Sequence, residues 1–198
     1  MGSPSLGSPG ADSAIEYGGT AKALHWIVFL LIASAFGVGL WMAGLPVGPQ
    51  RFKAVPLHKM IGVTILLLVL VRLLWRLTHP APPLPATMPA WERYAAHASH
   101  WALYLLMLVV PLSGYLMSSA LGFPTIVFGV RLPDLLERNR ELGDTLKTVH
   151  FFLNKTLLAV ITLHFAAAMK HHFFDRDDVL RRMLPRIFCK VPRPQEKH

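Results

Sequence analysis

The 198-residue chain is too apolar for a soluble domain of its length: 53% of its residues are hydrophobic, 16% are charged, and the mean hydropathy is +0.43. The formal net charge of +9 is typical of a nucleic-acid-binding protein or of a membrane protein with basic flanks. No basic stripe accompanies a soluble fold, so we expect no nucleic-acid partner. The single cysteine, Cys189, excludes an intrachain disulfide, an iron–sulfur cluster and covalent haem attachment through C-x-x-C-H.

In chain order, a Gly/Ser/Pro-rich segment comes first, and we predict a disordered leader over residues 1–16. It has no positive charge, and no small-residue cleavage site follows the next apolar run, so a cleaved signal peptide is not predicted. Four apolar runs then reach the roughly 20 residues that a membrane span requires. They cover residues 23–45, 61–77 (extended by Pro56 and Leu57), 101–121 and about 149–169. We therefore predict an all-α integral membrane four-helix bundle in the lipid bilayer over residues 17–186, with a tail over residues 187–198.

The connections between these runs differ in composition. We predict a short turn over residues 46–56, a proline-rich connector over 79–92 and a charged loop over 131–147. With four spans, the two termini and the connector share one side of the membrane, and that side carries twelve of the 20 Lys and Arg residues. Since Lys and Arg concentrate on the cytoplasmic side, we predict that both termini, including the 187–198 tail, are cytoplasmic.

Histidines sit in or beside these apolar runs, where an imidazole is costly unless something occupies it. His150 and His164 are 14 residues apart, so they leave one face of a helix roughly 21 Å apart along its axis. His25 opens the first predicted span and His58 the second. Sorted by depth, they form two pairs, His58 with His150 and His25 with His164. Two facing imidazoles inside a bundle suit bis-histidine ligation of haem iron.

The pairing at one depth is ambiguous from the residues alone. His97 and His100 stand at the start of the third span, and either could replace His25 or His164. A single histidine at the end of a span is, moreover, more often an interfacial residue than a ligand. Four histidines at paired depths favour ligation.

Three further residues are compatible with a haem but have common alternative roles. Arg72 follows His58 by 14 residues, so it could pair with propionates or simply reach the lipid headgroups. Gly62 and Gly114 could admit a flat macrocycle close to the backbone, or could let helices pack closely. We predict haem contacts for all three.

Several motifs taken together resemble the bacterial cytochrome b561 family, from about Tyr17 to Arg186. They are LHW, the H-x-x-x-G at His58, VRLLWRL-x-x-P-x-PP, AHASHWALYLL, PLSGYLM, LHFAAAMKHHFF-x-x-D and LRRMLPR. The resemblance implies a multi-pass protein of the bacterial inner membrane with two bis-histidine b-type haems. It also implies that the axial ligands are His25, His58, His150 and His164, rather than His97 or His100.

By the same resemblance, the expected activity is electron transport from superoxide, at the periplasmic face, to ubiquinone. We predict that His171, two turns after His164, is the hydrogen-bond partner of the quinone. Cationic residues beside the outer histidines would attract the superoxide anion. They are Arg51, Lys53, Lys59 and Lys147.

Two other functions remain open at this point. The first is a haem-bearing membrane anchor that exchanges electrons with a partner dehydrogenase or hydrogenase subunit. The second is a metal-ion or proton transporter that uses intramembrane histidines. Transporters of that kind usually place Asp or Glu within the spans, and the four apolar runs contain neither.

Overall fold

The computed structural model describes residues 16–85 and 88–185, which form four long helices and a small hairpin. Helix α1 covers Gly19–Gly44, α2 Pro49–Thr78, α3 Ala90–Ala120 and α4 Arg140–Lys170. A single π-helical turn, His171–Asp175, continues α4, and a 3₁₀ turn follows at Arg181–Met183. Each of the long helices is long and apolar enough to cross a membrane. The predicted all-α four-helix membrane bundle is therefore confirmed.

Parts of the sequence predictions lie outside the described residues. They are the leader except Glu16, the tail over residues 187–198, and Cys189. The division into leader, bundle and tail stays a prediction.

The helices extend well beyond the apolar runs, which corrects the predicted connections. Helix α2 begins at Pro49, inside the predicted turn 46–56, because proline already has the φ of a first helical residue and lacks the N–H that would be unpaired there. Helix α4 begins at Arg140, inside the predicted loop 131–147, where the Asn139 side chain accepts a hydrogen bond from Leu142 N at 3.0 Å. The apolar runs marked only the most hydrophobic stretch of each helix.

This extension moves the candidate histidines away from the helix ends. His58 is the tenth residue of α2 and His150 the eleventh of α4, so neither opens its helix as predicted. Helix α3 begins at Ala90 rather than at Trp101, and therefore includes His97 and His100. Each histidine thus has helical backbone on both sides, which fixes the direction of its side chain.

A two-stranded antiparallel hairpin between α3 and α4 was missed by the sequence analysis. Strand β1, Ile126–Val127, pairs with β2, Val130–Arg131, and β1 packs against α2. The two-residue turn contains Phe128 at φ 48° and Gly129 at φ 83°. Positive φ at both central positions is the requirement of a type I′ turn. Strands of two residues are too short to produce an alternating sequence pattern.

The helices pack in chain order, α1 on α2, α2 on α3 and α3 on α4. Two apolar clusters fill the middle of the bundle; they comprise Val28, Ile32, Ile65 and Val69, and Leu106, Val110 and Leu157. We call the end with the α1–α2 turn and the hairpin the hairpin end. The opposite end, with Glu16, the α2–α3 connector and Pro185, is the terminal end. The clusters lie between these ends and separate two layers of histidines.

Candidate functional site

At the hairpin end, His58 of α2 faces His150 of α4. The Nδ1 atom of His58 lies 3.1 Å from the carbonyl oxygen of Ala35. The Nδ1 atom of His150 lies 3.1 Å from Val110 O and 2.9 Å from Ser113 Oγ. A carbonyl oxygen can only accept, so each Nδ1 carries the proton and each Nε2 keeps its lone pair in the neutral ring. This tautomer is the one in which Nε2 can bind a metal.

Two glycines make room for these rings. A Cβ added at Gly39 of α1 would lie 3.1 Å from His58 Cε1, and one at Gly114 of α3 would lie 3.0 Å from His150 Cε1. Either methyl group would displace the imidazole beside it. The structure therefore places Gly114 against the His150 ring, whereas the direct haem contact of Gly114 stays a prediction. Gly39 was missed by the sequence analysis; its only sequence signal is its place one turn after Ala35.

Gly62 differs from these two glycines. A Cβ at this position would lie 3.9 Å from Pro111 Cβ, an ordinary van der Waals distance. Gly62 does line a narrow cavity of about 50 Å³ between His58 and His150, together with apolar side chains and Asn154. The predicted haem contact of Gly62 stays a prediction. Asn154 was not predicted; its amide donates to His150 O at 2.7 Å.

The ring separations fit one metal ion between each pair. Two imidazoles on opposite sides of an ion, each with Nε2 at about 2.0 Å, have ring centroids roughly 6 Å apart. The centroids of His58 and His150 are 6.4 Å apart, and those of His25 and His164 are 6.5 Å apart. The centroids of His100 and His164 are only 5.4 Å apart, shorter than this arrangement requires. The structure thus brings both predicted pairs together, while His100 stays a neighbour of the second.

At the terminal end, Arg72 lies near the His25–His164 pair. Its Nε donates to the Tyr104 hydroxyl at 3.3 Å, and its guanidinium lies 5.9 Å from the centre of that ring. Arg72 and Arg76 line a cavity of about 320 Å³ beside the α2–α3 connector. Within the described residues neither arginine forms an ion pair. Two guanidinium groups at one cavity provide a place for an anionic group such as a carboxylate.

The four cations predicted to attract superoxide all lie toward the hairpin end, but two of them have structural contacts. The Lys59 ammonium donates to Phe123 O at 3.4 Å and to Pro124 O at 3.1 Å. Arg51 donates to Leu45 O at 3.2 Å. Lys53 and Lys147 are exposed. Lys59 therefore also attaches the α3–α4 loop to α2.

Polar side chains at the end of α3 hold the same loop. Ser118 Oγ donates to Phe123 O at 2.7 Å, Ser119 Oγ accepts from Leu136 N at 3.0 Å, and the Tyr115 hydroxyl donates to Pro133 O. The sequence analysis missed these contacts. The only sequence signal is the pair of serines at the end of an apolar run, where small hydroxyls could satisfy loop backbone groups.

His171, the residue predicted to contact quinone, has a different setting from the one expected. The prediction assumed that the α-helix continues, so that His171 shares a face with His164. Helix α4 ends at Lys170, however, and the π turn begins at His171. The side chain is buried, and its Nδ1 lies 2.7 Å from Asp177 Oδ2 and 3.0 Å from Asp175 Oδ2. Nδ1 therefore has carboxylate partners, and a quinone contact stays a prediction.

Comparison with known proteins agrees with this geometry. The sequence profile described as prokaryotic cytochrome b561 matches residues 16–186. The chain is 40% identical over 172 residues to "Cytochrome b561 homolog 2" of Escherichia coli (strain K12), which covers 85% of this chain and 91% of that protein. It is 34% identical over 167 residues to "Probable superoxide oxidase CybB" of Yersinia pestis, covering 82% of this chain and 92% of that protein. "Cytochrome b561 homolog 1" of Escherichia coli (strain K12) is 27% identical over 164 residues, covering 82% of this chain and 93% of that protein.

The profile covers the whole described chain, and with it every histidine of the two pairs. Two of these relatives exceed 30% identity over more than four fifths of both sequences. The predicted family is therefore confirmed: the chain belongs to the prokaryotic cytochrome b561 family and is a membrane electron-transfer protein of the b-haem type.

Proposed function

We propose that this protein oxidises superoxide at the hairpin end of the bundle and reduces ubiquinone. Each of the two histidine pairs would hold one b-type haem. The observation that carries the proposal is the pair of centroid separations, 6.4 Å for His58 and His150 and 6.5 Å for His25 and His164. Both match the separation of two imidazoles that share one metal ion. Two such layers in one helical bundle supply two redox centres at different depths.

The protein's own groups would hold these cofactors in a defined way. Backbone carbonyls of Ala35 and Val110 accept from the Nδ1 atoms of His58 and His150, which leaves the Nε2 lone pair of each ring available to a metal ion. Arg72 would pair with propionates at the terminal end. When bound, a b-type haem supplies one-electron carrier chemistry. Two superoxide anions, one ubiquinone and two protons then give two molecules of dioxygen and one ubiquinol.

The orientation in the membrane follows from the distribution of Lys and Arg. We place the protein in the bacterial inner membrane with both termini in the cytoplasm and the hairpin end in the periplasm. Superoxide would then be collected at the hairpin end, where Lys147 precedes His150 by three residues and Lys53 is exposed. One of the relatives is described as a probable superoxide oxidase, which supports this donor.

His171 is our candidate for the quinone site at the terminal end. Its Nε2 has no hydrogen-bond partner in the described part of the chain; the nearest carboxylate oxygen, Glu92 Oε2, is 3.8 Å away. The side chain is buried at the end of α4, seven residues after His164. With Nδ1 bonded to Asp177, Nε2 can accept from a hydroxyl of ubiquinol or, when protonated, donate to a carbonyl oxygen of the quinone, so its position suits a quinone headgroup.

The test is the dependence of haem reduction on ionic strength. Superoxide is an anion, so a cationic entrance raises its rate of encounter, and added salt weakens this attraction at distances beyond the Debye length, which is about 10 Å at 0.1 M. We expect superoxide-driven haem reduction to slow as salt rises. Lys53→Glu with Lys147→Glu should slow it severalfold at low salt and flatten the salt dependence. These two exposed residues change the charge without removing the Lys59 contacts to the loop.

The control is a single charge reversal at the terminal end, Arg181→Glu, at a side chain that is 66% exposed, and it is matched with Lys147→Glu alone so that the net charge changes equally. It should leave the superoxide rate unchanged, and a neutral reductant should reduce all the variants equally fast. If the double variant matches the parent at low salt, superoxide does not enter at the hairpin end. A membrane anchor that serves a partner dehydrogenase or hydrogenase would then explain the protein better.

A further inference from the structure

A cluster of ionisable side chains joins the beginning of α3 to the end of α4 at the terminal end. We call it the Glu92–His171 cluster; it consists of Glu92, Lys170, His171, Asp175 and Asp177. Glu92 lies in the first turn of α3. Lys170 ends α4, His171 and Asp175 lie in the π turn, and Asp177 follows it. Arg176, at φ 54°, turns the chain back so that Asp177 reaches the His171 ring. No residue of this cluster belongs to the two histidine pairs.

The His171 ring presents one free nitrogen inside the cluster. Its Nδ1 lies 2.7 Å from Asp177 Oδ2 and therefore donates to it, since an ionised carboxylate only accepts. In the neutral ring, Nε2 then carries a lone pair. Nε2 faces Glu92 Oε2 at 3.8 Å, which is too far for a hydrogen bond. Only 9% of the His171 surface is exposed. Two acceptors that face each other in this way are both satisfied by a proton on Nε2 or by a metal cation between them.

The distances suit a metal ion in that position. When a metal ion lies about 2.0–2.2 Å from a nitrogen ligand and from an oxygen ligand, these two ligand atoms are about 3–4 Å apart, depending on the angle at the ion. Donor atoms of Glu92, His171 and Asp175 all lie within 4.8 Å of one another. Asp177 bound to Nδ1 supplies the carboxylate–histidine arrangement that commonly orients a metal-ligating imidazole.

The charge of the cluster also favours a cation. Three carboxylates, Glu92, Asp175 and Asp177, face one ammonium group, that of Lys170. The Lys170 Nζ lies 2.6 Å from Glu92 Oε1 and 2.9 Å from Asp175 Oδ2. Its side chain is 44% exposed, so it can swing into solvent without leaving a buried charge behind. Lys170 therefore acts as an internal competitor for the same oxygen atoms.

We propose that the Glu92–His171 cluster binds a divalent transition-metal ion, with His171 Nε2 and the carboxylates of Glu92 and Asp175 as ligands. A mixed nitrogen and oxygen donor set of this size suits Zn²⁺, whereas Mg²⁺ and Ca²⁺ prefer oxygen alone. The ion would link α3 to α4 at the terminal end.

A consequence of the site rests on the proposed function. If His171 Nε2 also contacts the quinone, a bound metal removes that contact and slows quinone reduction, while haem reduction at the hairpin end continues. Metal binding itself does not depend on this role, so it is measured first and separately.

The binding experiment titrates haem-loaded, untagged protein in detergent with Zn²⁺, in competition with a chromophoric chelator. The matched variants are His171→Asn and His172→Asn, since His172 is adjacent but contacts Phe173 instead of the carboxylates. We expect one site that is weakened at least tenfold in His171→Asn and in Glu92→Gln and is retained in His172→Asn. Mg²⁺ at the same concentration should not compete. The haem absorption spectrum of each variant reports that the fold is intact.

Lys170→Met gives a test in the opposite direction. Removing the competing ammonium should tighten Zn²⁺ binding severalfold, whereas a merely structural ion-pair cluster would show no gain of affinity. The proposal is overturned if His171→Asn and Glu92→Gln bind Zn²⁺ as the parent does, or if Lys170→Met binds it no more tightly. A site that binds Zn²⁺ without slowing quinone reduction would leave the metal site standing and count against quinone contact at His171.

Discussion

The two histidine layers are held in different ways. At the hairpin end, the rings of His58 and His150 are fixed by hydrogen bonds to carbonyl oxygens and by glycines on the neighbouring helices. At the terminal end, neither His25 nor His164 has a ring hydrogen bond among residues 16–85 and 88–185. A third imidazole, that of His100, lies beside His164 instead.

The two pairs obtain their orientation from different sources. Backbone carbonyls and glycine surfaces belong to the rigid helices, so the hairpin-end rings are oriented before any cofactor binds. The terminal-end rings have aromatic neighbours such as Trp26 and a cation, Arg72, nearby. We therefore expect the hairpin-end layer to tolerate few changes in its surroundings, and the terminal-end layer to depend more on the cofactor itself.

Substitution of an axial histidine should have the greatest effect. Each such variant should lose the haem of its own layer and keep the other. His58→Ala or His150→Ala should reduce the haem content from two to one per chain and leave the terminal-end haem in place. His25→Ala or His164→Ala should do the reverse. Pyridine haemochrome counts and the split of the α band measure both outcomes, because two haems in different surroundings absorb at different wavelengths.

His100→Ala is the control for this experiment. The 5.4 Å between the His100 and His164 centroids is too short for two ligands of one iron, so His100→Ala should keep both haems. Loss of a haem from His100→Ala, together with full content in His25→Ala, would show that the terminal-end pairing is incorrect. A cofactor bound in the core also stabilises the fold, so each variant needs a thermal unfolding curve.

The sequence predicted much of this arrangement because two of its signals lie within single helices. Apolar runs of about 20 residues identified the helices, and the 14-residue spacing of His150 and His164 identified a common face. The ends of the helices were predicted poorly, since residues such as Pro49 and Arg140 continue a helix without contributing hydrophobicity.

Apart from the two histidine pairs, contacts between distant segments were not predicted. Nothing in the sequence relates Gly39 to His58, or Ser113 to His150, because these contacts depend on how whole helices pack. The Lys59 contact with the α3–α4 loop likewise joins residues more than 60 positions apart. The position of Lys59 beside His58 suggested only a positive charge that attracts an anion. The structure shows that Lys59 also anchors the α3–α4 loop.

A second prediction compares two glycines of α1, Gly37 and Gly39. Gly39→Ala places a methyl group 3.1 Å from His58 Cε1, so the ring must shift and the hairpin-end haem should be lost or bound only partially. Gly37→Ala meets nothing within 4 Å and should keep both haems. Both substitutions raise helix propensity equally, so the difference between them isolates the contact. Haem content measured side by side is decisive: equal content in the two variants would mean that His58 can move without cost.

The smallest expected effect concerns the electronic setting of one ligand. Ser113 Oγ donates to Val110 O at 2.7 Å and accepts from the Nδ1–H of His150 at 2.9 Å. Ser113→Ala removes one of the two acceptors of that N–H, which lowers the basicity of the imidazole and weakens its support of ferric iron. The midpoint potential of the hairpin-end haem should therefore rise by about 10–40 mV, because a hydrogen bond is worth about 0.5–1.5 kcal/mol and only part of it differs between redox states.

The terminal-end haem serves as the internal reference, since its potential should stay constant in Ser113→Ala. Ser99→Ala is the matched variant, because among the described residues that hydroxyl bonds only to Ala96 O, within the same helix. Potentiometric titration of both haems in the three proteins measures the effect. A shift of both haems, or an equal shift in Ser99→Ala, would mean that the serine acts on the packing of α3 and not on the His150 ring. A fall in the hairpin-end potential would mean that the Val110 carbonyl strengthens its own bond to Nδ1 once the serine is gone, and the carbonyl would then be the dominant partner of this ligand.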